Sequence, residues 1–298
     1  MTASATVALD KLRTDLQQYA HLAEVRYDPV VVDPVLDTLA DLWANSVVGV
    51  RTTTHPVHER EVNARVMHPG DPTDLIERLR AAGLLTYTGH PMEQLLAEIS
   101  AAVPVRSGVD LALAGGVQKI WLVFPELIGV ERILGFSGMP ESARAHAAHL
   151  SRYGGRIGIL AVDFDARTMN LYSNVFEPGH LAPADIAEIL AELDFTAATD
   201  DELALLGRTF NLYRTFSWSE PGMRRICFPV RCEPSSFPTH LDPVLARFVD
   251  GAPFADPDTR GFVFYAAYGP NDRYFKVQAE YAAARQATFP GGTAPRTT

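Results

Sequence analysis

Single cations interrupt otherwise apolar, strand-like runs at three places in this chain. Lys119 lies in Gly-Gly-Val-Gln-Lys-Ile-Trp-Leu-Val-Phe, Arg225 in Arg-Arg-Ile-Cys-Phe, and Lys276 in Tyr-Phe-Lys-Val-Gln. Side chains alternate along a strand, so each cation points away from the face that carries the Ile, Leu and Val residues. If those apolar faces are covered by helices, the cationic faces look into an enclosed space. Arg65 has the same setting, on a face with Glu61 and Asn63 opposite Val62, Ala64 and Val66. Asn170 and Tyr213 join the inward set. Such cations repel one another, so the cluster is expected to hold an anion for part of the time. Diphosphate suits it, because guanidinium forks and ammonium groups both satisfy phosphate oxygens. Trp121, Tyr172, Tyr213 and Tyr265 share the inward parity, and their ring faces can shield a carbocation. Cations beside aromatic walls point to transfer of an allylic group from its diphosphate.

The elements that must position these residues repeat along the chain. Leu9, Leu12, Leu16 and Tyr19 form a helical stripe, and a second helix follows Pro34. Strands are expected near 46–54 and 60–68, then helices near 72–82 and 92–102 and strands near 107–113 and 116–125. Helices near 128–135 and 140–152 precede strands at 156–164 and 167–175. Helices at 184–194 and 200–207 precede strands at 208–218 and 223–232. A helix near 241–249 precedes strands at 260–268 and 273–279, with a closing helix to about 287. Thr168, Asn170 and Tyr172 oppose Met169 and Leu171, and Asn211, Tyr213, Thr215 and Ser217 oppose Phe210, Leu212, Phe216 and Trp218. Ten strands in an open antiparallel sheet tend to curl or close. The expected fold is an α+β ten-stranded antiparallel barrel with a solvent-filled lumen, built from five ααββ units with the helices outside. No linker divides the chain, so one domain over 1–298 is expected, with about 1–8 and 289–298 disordered.

Bulk properties narrow the partners. The net charge of −10 argues against nucleic acid or an anionic membrane, and 47% hydrophobic with 21% charged residues suits a soluble globular protein. Two cysteines, Cys227 and Cys232, make neither a disulfide framework nor a zinc motif, which fits a reducing cytoplasm. No run approaches the roughly 20 apolar residues of a membrane span, and the start of the chain lacks a secretory pattern. A monomer is expected.

The sequence resembles the soluble ABBA-type, or PT-barrel, aromatic prenyltransferases of bacterial secondary metabolism over nearly its whole length. The resemblance is carried by Gly89-His90-Pro91 with Leu95-Leu96, by Gly115-Gly116-Val117-Gln118-Lys119, and by Arg152-Tyr153-Gly154. It continues in Asp163-Phe164-Asp165 to Met169-Asn170-Leu171-Tyr172, in Tyr213 through Trp218, in Arg225-Ile226-Cys227-Phe228 and in Tyr274-Phe275-Lys276. It implies that Lys119, Asn170, Tyr213, Arg225 and Lys276 hold a prenyl diphosphate, with Arg65, Arg51 and Thr168 counted beside them. It implies that Trp121, Tyr172 and Tyr213 flank the prenyl chain, and that Val50, Thr52, Phe210 and Asn211 approach a small aromatic acceptor. The expected reaction is electrophilic substitution on a phenol, indole, phenazine or quinone. The expected donor is dimethylallyl diphosphate, with geranyl diphosphate the longer alternative.

Two departures from the family pattern bear on metal use. Magnesium-dependent members carry an Asp where this chain has Asn63, and a neutral amide is a poor anchor for Mg²⁺. Arg65 matches an Arg of the metal-independent members, so no metal and no cofactor is expected. Arg51 resembles another basic residue of that group, although a lumen-facing Thr52 would turn it outward. Some members have a Lys at the place of Ala166, and Arg167 next to it has the wrong parity.

Other signals carry less. Asp200-Asp201 is expected to cap a helix, and His55 and His58 read as solvated loop residues. Gly115-Gly116 precedes a strand, so it is not a phosphate loop. The final proton of a substitution has water, the released diphosphate or a carboxylate such as Glu280 as acceptor. A non-catalytic barrel that binds an aromatic metabolite, or a polyketide-type cyclase, would use the same enclosure but leave the inward cations without a task.

Overall fold

The computed structural model describes residues 3–282, apart from 69, 71, 174–180 and 259. The closing helix expected after 279 is contradicted at 280–282, which continue a strand. Its remainder to about 287, the last residues of the strand expected to 175, and the tail from 289 lie outside the described residues.

Ten strands close into one antiparallel barrel. They are β1 (Val48–Thr53), β2 (Val62–His68), β3 (Arg106–Ala112), β4 (Gly116–Gly129), β5 (Arg156–Asp163), β6 (Thr168–Ser173), β7 (Leu212–Ser217), β8 (Met223–Cys232), β9 (Phe262–Tyr268) and β10 (Arg273–Ala282). Each pairs with its neighbours in sequence, and β1 pairs with β10 to complete the ring. Closure removes the exposed edges that an open sheet of this width would present. The five hairpin turns all fall at one end of the barrel, and the helical connections cross at the other.

The outer faces explain why helices surround it. Val62, Ala64 and Val66 on β2, Ile120, Leu122 and Phe124 on β4, and Ile226, Phe228 and Val230 on β8 belong to one continuous apolar layer. Leu12, Leu16 and Tyr19 of α1 (Ala3–Leu22) and Leu95, Leu96 and Ile99 of α2 (Pro91–Ala102) pack into the same layer. Fully burying a side chain of this size is worth about 1.5–3 kcal/mol. Among the described residues no helix is long and apolar enough to cross a membrane.

Local chemistry sets the boundaries. Pro91 opens α2, where a missing N–H costs nothing, and His90 Nδ1 accepts from the Met92 N–H at 3.3 Å. The Glu93 carboxylate folds back onto the Thr88 and Gly89 N–H groups at 2.6 and 2.9 Å. Gly89 has φ +80°, a conformation that favours glycine. Gly89-His90-Pro91 is thus a helix start. The cap of α3 (Asp200–Leu206) differs from expectation. Thr199 accepts from Glu202 N–H and Glu202 returns the bond, which leaves Asp200 and Asp201 in the first turn rather than at the cap.

Candidate active site

A second, smaller cluster fills the inside of the barrel. Trp121, Ala161, Tyr172, Tyr213, Cys227, Val263, Tyr265, Ala267 and Tyr274 form it, with Phe210, Ile159 and Met67 packed against it. The cations share this interior, near the hairpin ends of their strands, with the aromatic residues extending deeper.

Most of these cations already have a carboxylate partner. Asp110 on β3 is fully buried and accepts from Arg65 Nε at 2.7 Å, Arg65 Nη2 at 3.3 Å and Arg51 Nη2 at 3.2 Å. Burial alone would raise its pKa, but the two guanidinium groups outweigh that and hold it below the usual carboxylate range. Lys119 lies 2.8 Å from Asp163, whose other oxygen accepts from the Asp165 and Ala166 N–H groups of the β5–β6 turn. The mutual repulsion expected of the inward cations is therefore largely neutralised without a ligand.

Arg225 and Lys276 are the exceptions. Among the described residues, Arg225 reaches only the exposed Asp272, at 3.7 Å, and its buried Nε has no partner. Lys276 donates to the Tyr213 hydroxyl at 2.7 Å. Burial first, and then the charges of Arg51, Arg225 and Lys119, push the Lys276 pKa well below that of an ordinary lysine.

The aromatic residues run as a column from that lysine. Tyr213 stacks on Tyr172 with centroids 4.5 Å apart, and Tyr172 meets Trp121 at 5.2 Å. The Arg65 guanidinium carbon covers Trp121 at 3.6 Å from its centre. Burial raises the pKa of both Tyr172 and Tyr213, so the hydroxyls stay protonated and can donate. Asn170 accepts from Thr215 Oγ1 at 2.8 Å, which leaves its amide N–H groups for a ligand. Thr168 is buried on the same face of β6. Tyr265 faces inward, bonded to Gln278 at 3.2 Å.

The structure corrects several expectations. Arg51, expected among the diphosphate ligands although the parity of a lumen-facing Thr52 opposed it, points into the lumen, on Asp110. Val50 and Thr52, expected at the acceptor, point out. Val50 belongs to the outer apolar layer, and the Thr52 hydroxyl donates to the Glu61 carbonyl at 2.8 Å. The register explains it: Arg51 pairs with Asn63, which has the inward parity of Arg65. Phe210 was placed opposite Asn211 by strand alternation, yet it packs against the inner cluster. It precedes β7, where alternation does not apply. Asn211 is buried, with its side-chain oxygen unpartnered. Glu280 lies on β10 with the parity of Lys276 and Gln278, not on a helix. His55 is half-buried against Tyr274, whereas His58 is solvated as expected.

Asp110, Asp163 and Gln118 were missed. A lone aspartate in Gly-Val-Asp-Leu-Ala, on the parity of a glycine, was the available signal for Asp110. Gln118 bridges Asn63 and Glu61, at 2.8 Å to each.

A closed ten-stranded antiparallel barrel ringed by helices, with a cationic and aromatic interior, defines the PT-barrel class. The fold matches the crystal structure of 6-dimethylallyltryptophan synthase from Micromonospora olivasterospora, solved with DMASPP and Trp. The TM-score is 0.61 at 18% identity, over 92% of this chain and 98% of that one. The chain belongs to the family described as Aromatic prenyltransferase Orf2, whose profile matches residues 7–291, and it is a prenyl-transferring enzyme. It is 28% identical over 295 residues to the furaquinocin biosynthesis prenyltransferase of Streptomyces sp. (strain KO-3988), covering 94% of this chain and 93% of that protein. It is also 28% identical over 286 residues to the flaviolin linalyltransferase of Streptomyces virginiae, covering 93% and 94%.

Proposed function

We propose that this enzyme transfers a dimethylallyl group, with geranyl as the longer alternative, from its diphosphate to an electron-rich aromatic ring, without Mg²⁺. The observation that carries this reading is the contact of Lys276 with Tyr213 at the head of the Tyr213–Tyr172–Trp121 column. A donor lying along that column has its diphosphate against Lys276, Arg225, Lys119 and Asn170 and its allylic chain against ring faces.

The C1–O bond of the donor breaks, and its electron pair leaves with the diphosphate. Cations aimed at the leaving oxygens stabilise charge as it develops there. The aromatic column shields the allylic cation from water until a ring carbon of the acceptor attacks it. The ring then loses a proton to water, to the diphosphate or to Glu280, restoring aromaticity.

Metal independence is supported by the groups that stand where a metal would be anchored. Asn63 is a neutral amide bonded to Gln118, and the Asp110 oxygens are occupied by Arg51 and Arg65. These fixed cations supply positive charge that a divalent ion would otherwise bring.

The test is incubation with dimethylallyl or geranyl diphosphate, excess EDTA and a panel of phenols, indoles, phenazines and flaviolin. Prenylated product at an unchanged rate in EDTA is expected. Loss of activity in EDTA that Mg²⁺ restores would refute metal independence, and no product from any acceptor would count against the aromatic substitution.

A further inference from the structure

The β1–β2 hairpin turn brings a histidine to the mouth of the cationic end. Thr54 ties this turn to β10 in both directions: its N–H donates to the Phe275 carbonyl, and its hydroxyl accepts from the Phe275 N–H, each at 2.9 Å. Arg60 Nε holds the His55 carbonyl at 3.1 Å. The His55 ring, thus anchored, lies on Tyr274 with centroids 3.8 Å apart. The same tyrosine ring carries the Arg225 guanidinium at 4.6 Å and the Lys276 ammonium at 5.1 Å. His55 therefore shares one aromatic support with the two lumen cations that lack a close carboxylate.

We propose that His55 is a further ligand of the diphosphate, neutral in the empty barrel and taking up a proton as the phosphate group arrives. This rests on the donor site proposed above.

The charged groups around His55 set the direction. Arg225 on β8 and Lys276 on β10 oppose its protonation. Glu59 on its own turn and Asp272 on the β9–β10 turn favour it, and Arg60 contacts only its carbonyl. Burial, and after it the two cations, prevail, and the imidazole pKa lies below its ordinary value. A diphosphate held by Arg225 and Lys276 reverses that balance by placing negative charge beside the same ring. The imidazolium then adds a charge-assisted N–H···O bond at the open end of the site, where half-burial leaves a path for the proton.

The experiment follows the His55 imidazole resonance through a pH titration of the full chain, with and without inorganic diphosphate. His55→Phe assigns the signal and keeps a ring on Tyr274, and the exposed His58 is the internal reference. The expected result is that diphosphate raises the His55 midpoint by about one unit or more while His58 stays within a few tenths. Calorimetry should show His55→Phe weakening diphosphate binding about tenfold near pH 6, with little difference near pH 9. If diphosphate binds and the His55 midpoint moves no more than that of His58, this inference is overturned and the donor site stands. If diphosphate does not bind at any pH, the donor site is wrong and this inference falls with it.

Discussion

Arg65 grips Asp110 through two of its nitrogens while the face of the same guanidinium covers Trp121. One residue thereby joins the charged end of the barrel to its aromatic column. Asp110 in turn holds Arg51, so a single buried carboxylate sets the positions of two cations.

Removing that carboxylate's charge should therefore disturb more than one bond. Asp110→Asn leaves two guanidinium groups in a desolvated interior with no counterion. Breaking a buried ion pair in this way costs about 3–5 kcal/mol. Denaturant unfolding should show that loss, and turnover should fall with it. Replacing all three groups together, as Arg51→Met, Arg65→Met and Asp110→Leu, should recover much of the stability and none of the activity. Wild-type stability in Asp110→Asn would mean that the arginines have other anchors.

Lys276 predicts the opposite trade. Its ammonium is desolvated among cations, so in the empty enzyme it opposes folding, and Lys276→Met should raise stability at neutral pH by about 0.5–2 kcal/mol while abolishing donor turnover. The pH dependence gives the sign. The unfolded chain keeps this proton up to its ordinary pKa of 10.5, whereas the folded chain releases it at a lower pH. Between those values the unfolded state binds more protons, so stability rises with pH across that window. The raised pKa of Cys227 opposes this above its ordinary value of 9.0, so the rise is best measured below that. Denaturation midpoints taken from about pH 6 to pH 8.5 should climb for wild type relative to Lys276→Met. Parallel curves would show that Lys276 does not release its proton in the folded chain within that range.

How much of this was legible follows from where each residue sits. Inside the strands, alternation placed Arg65, Lys119, Asn170, Tyr172 and Lys276 correctly, because a period of two leaves no freedom once one face is apolar. It failed at the ends. Phe210 precedes its strand and escapes the rule, and β1 is short, with a threonine on each face. The choice between Arg51 and Thr52 then depended on its pairing with β2, which sequence does not display. Asp110 was missed because it is alone among apolar residues, and its meaning appears only when β2 and β1 bring Arg65 and Arg51 to it. His55 was misread because the contact that buries it comes from β10, over 200 residues away.

The parity of β1 makes a prediction about acceptor choice. Phe210 packs on the inner cluster, while Val50 lies in the outer layer. Phe210→Ala should alter which acceptors are prenylated, or at which carbon, with a modest effect on stability. Val50→Ala should behave as a core truncation, lowering stability by about 1–2 kcal/mol and leaving the product distribution unchanged. Chromatographic profiles over the acceptor panel separate the two. A shifted profile for Val50→Ala would place β1 in the opposite orientation.

Arg225 offers the sharpest test of leaving-group stabilisation. Among the described residues its nearest carboxylate is the exposed Asp272 and its buried Nε has no partner, so the empty enzyme gains little from the guanidinium. Arg225→Ala should fold with nearly wild-type stability. If the guanidinium meets charge that grows as the C1–O bond breaks, kcat should fall by about 10²–10³, as when other preorganised charge-stabilising groups are lost. If it serves only to capture the donor, KM should rise with kcat unchanged. Lys119→Ala is the contrast, because it strands Asp163 without its partner and should lose stability as well as rate. Adding Asp163→Asn to Lys119→Ala should restore stability alone, which would separate the counterion role of Asp163 from the role of Lys119 in the reaction.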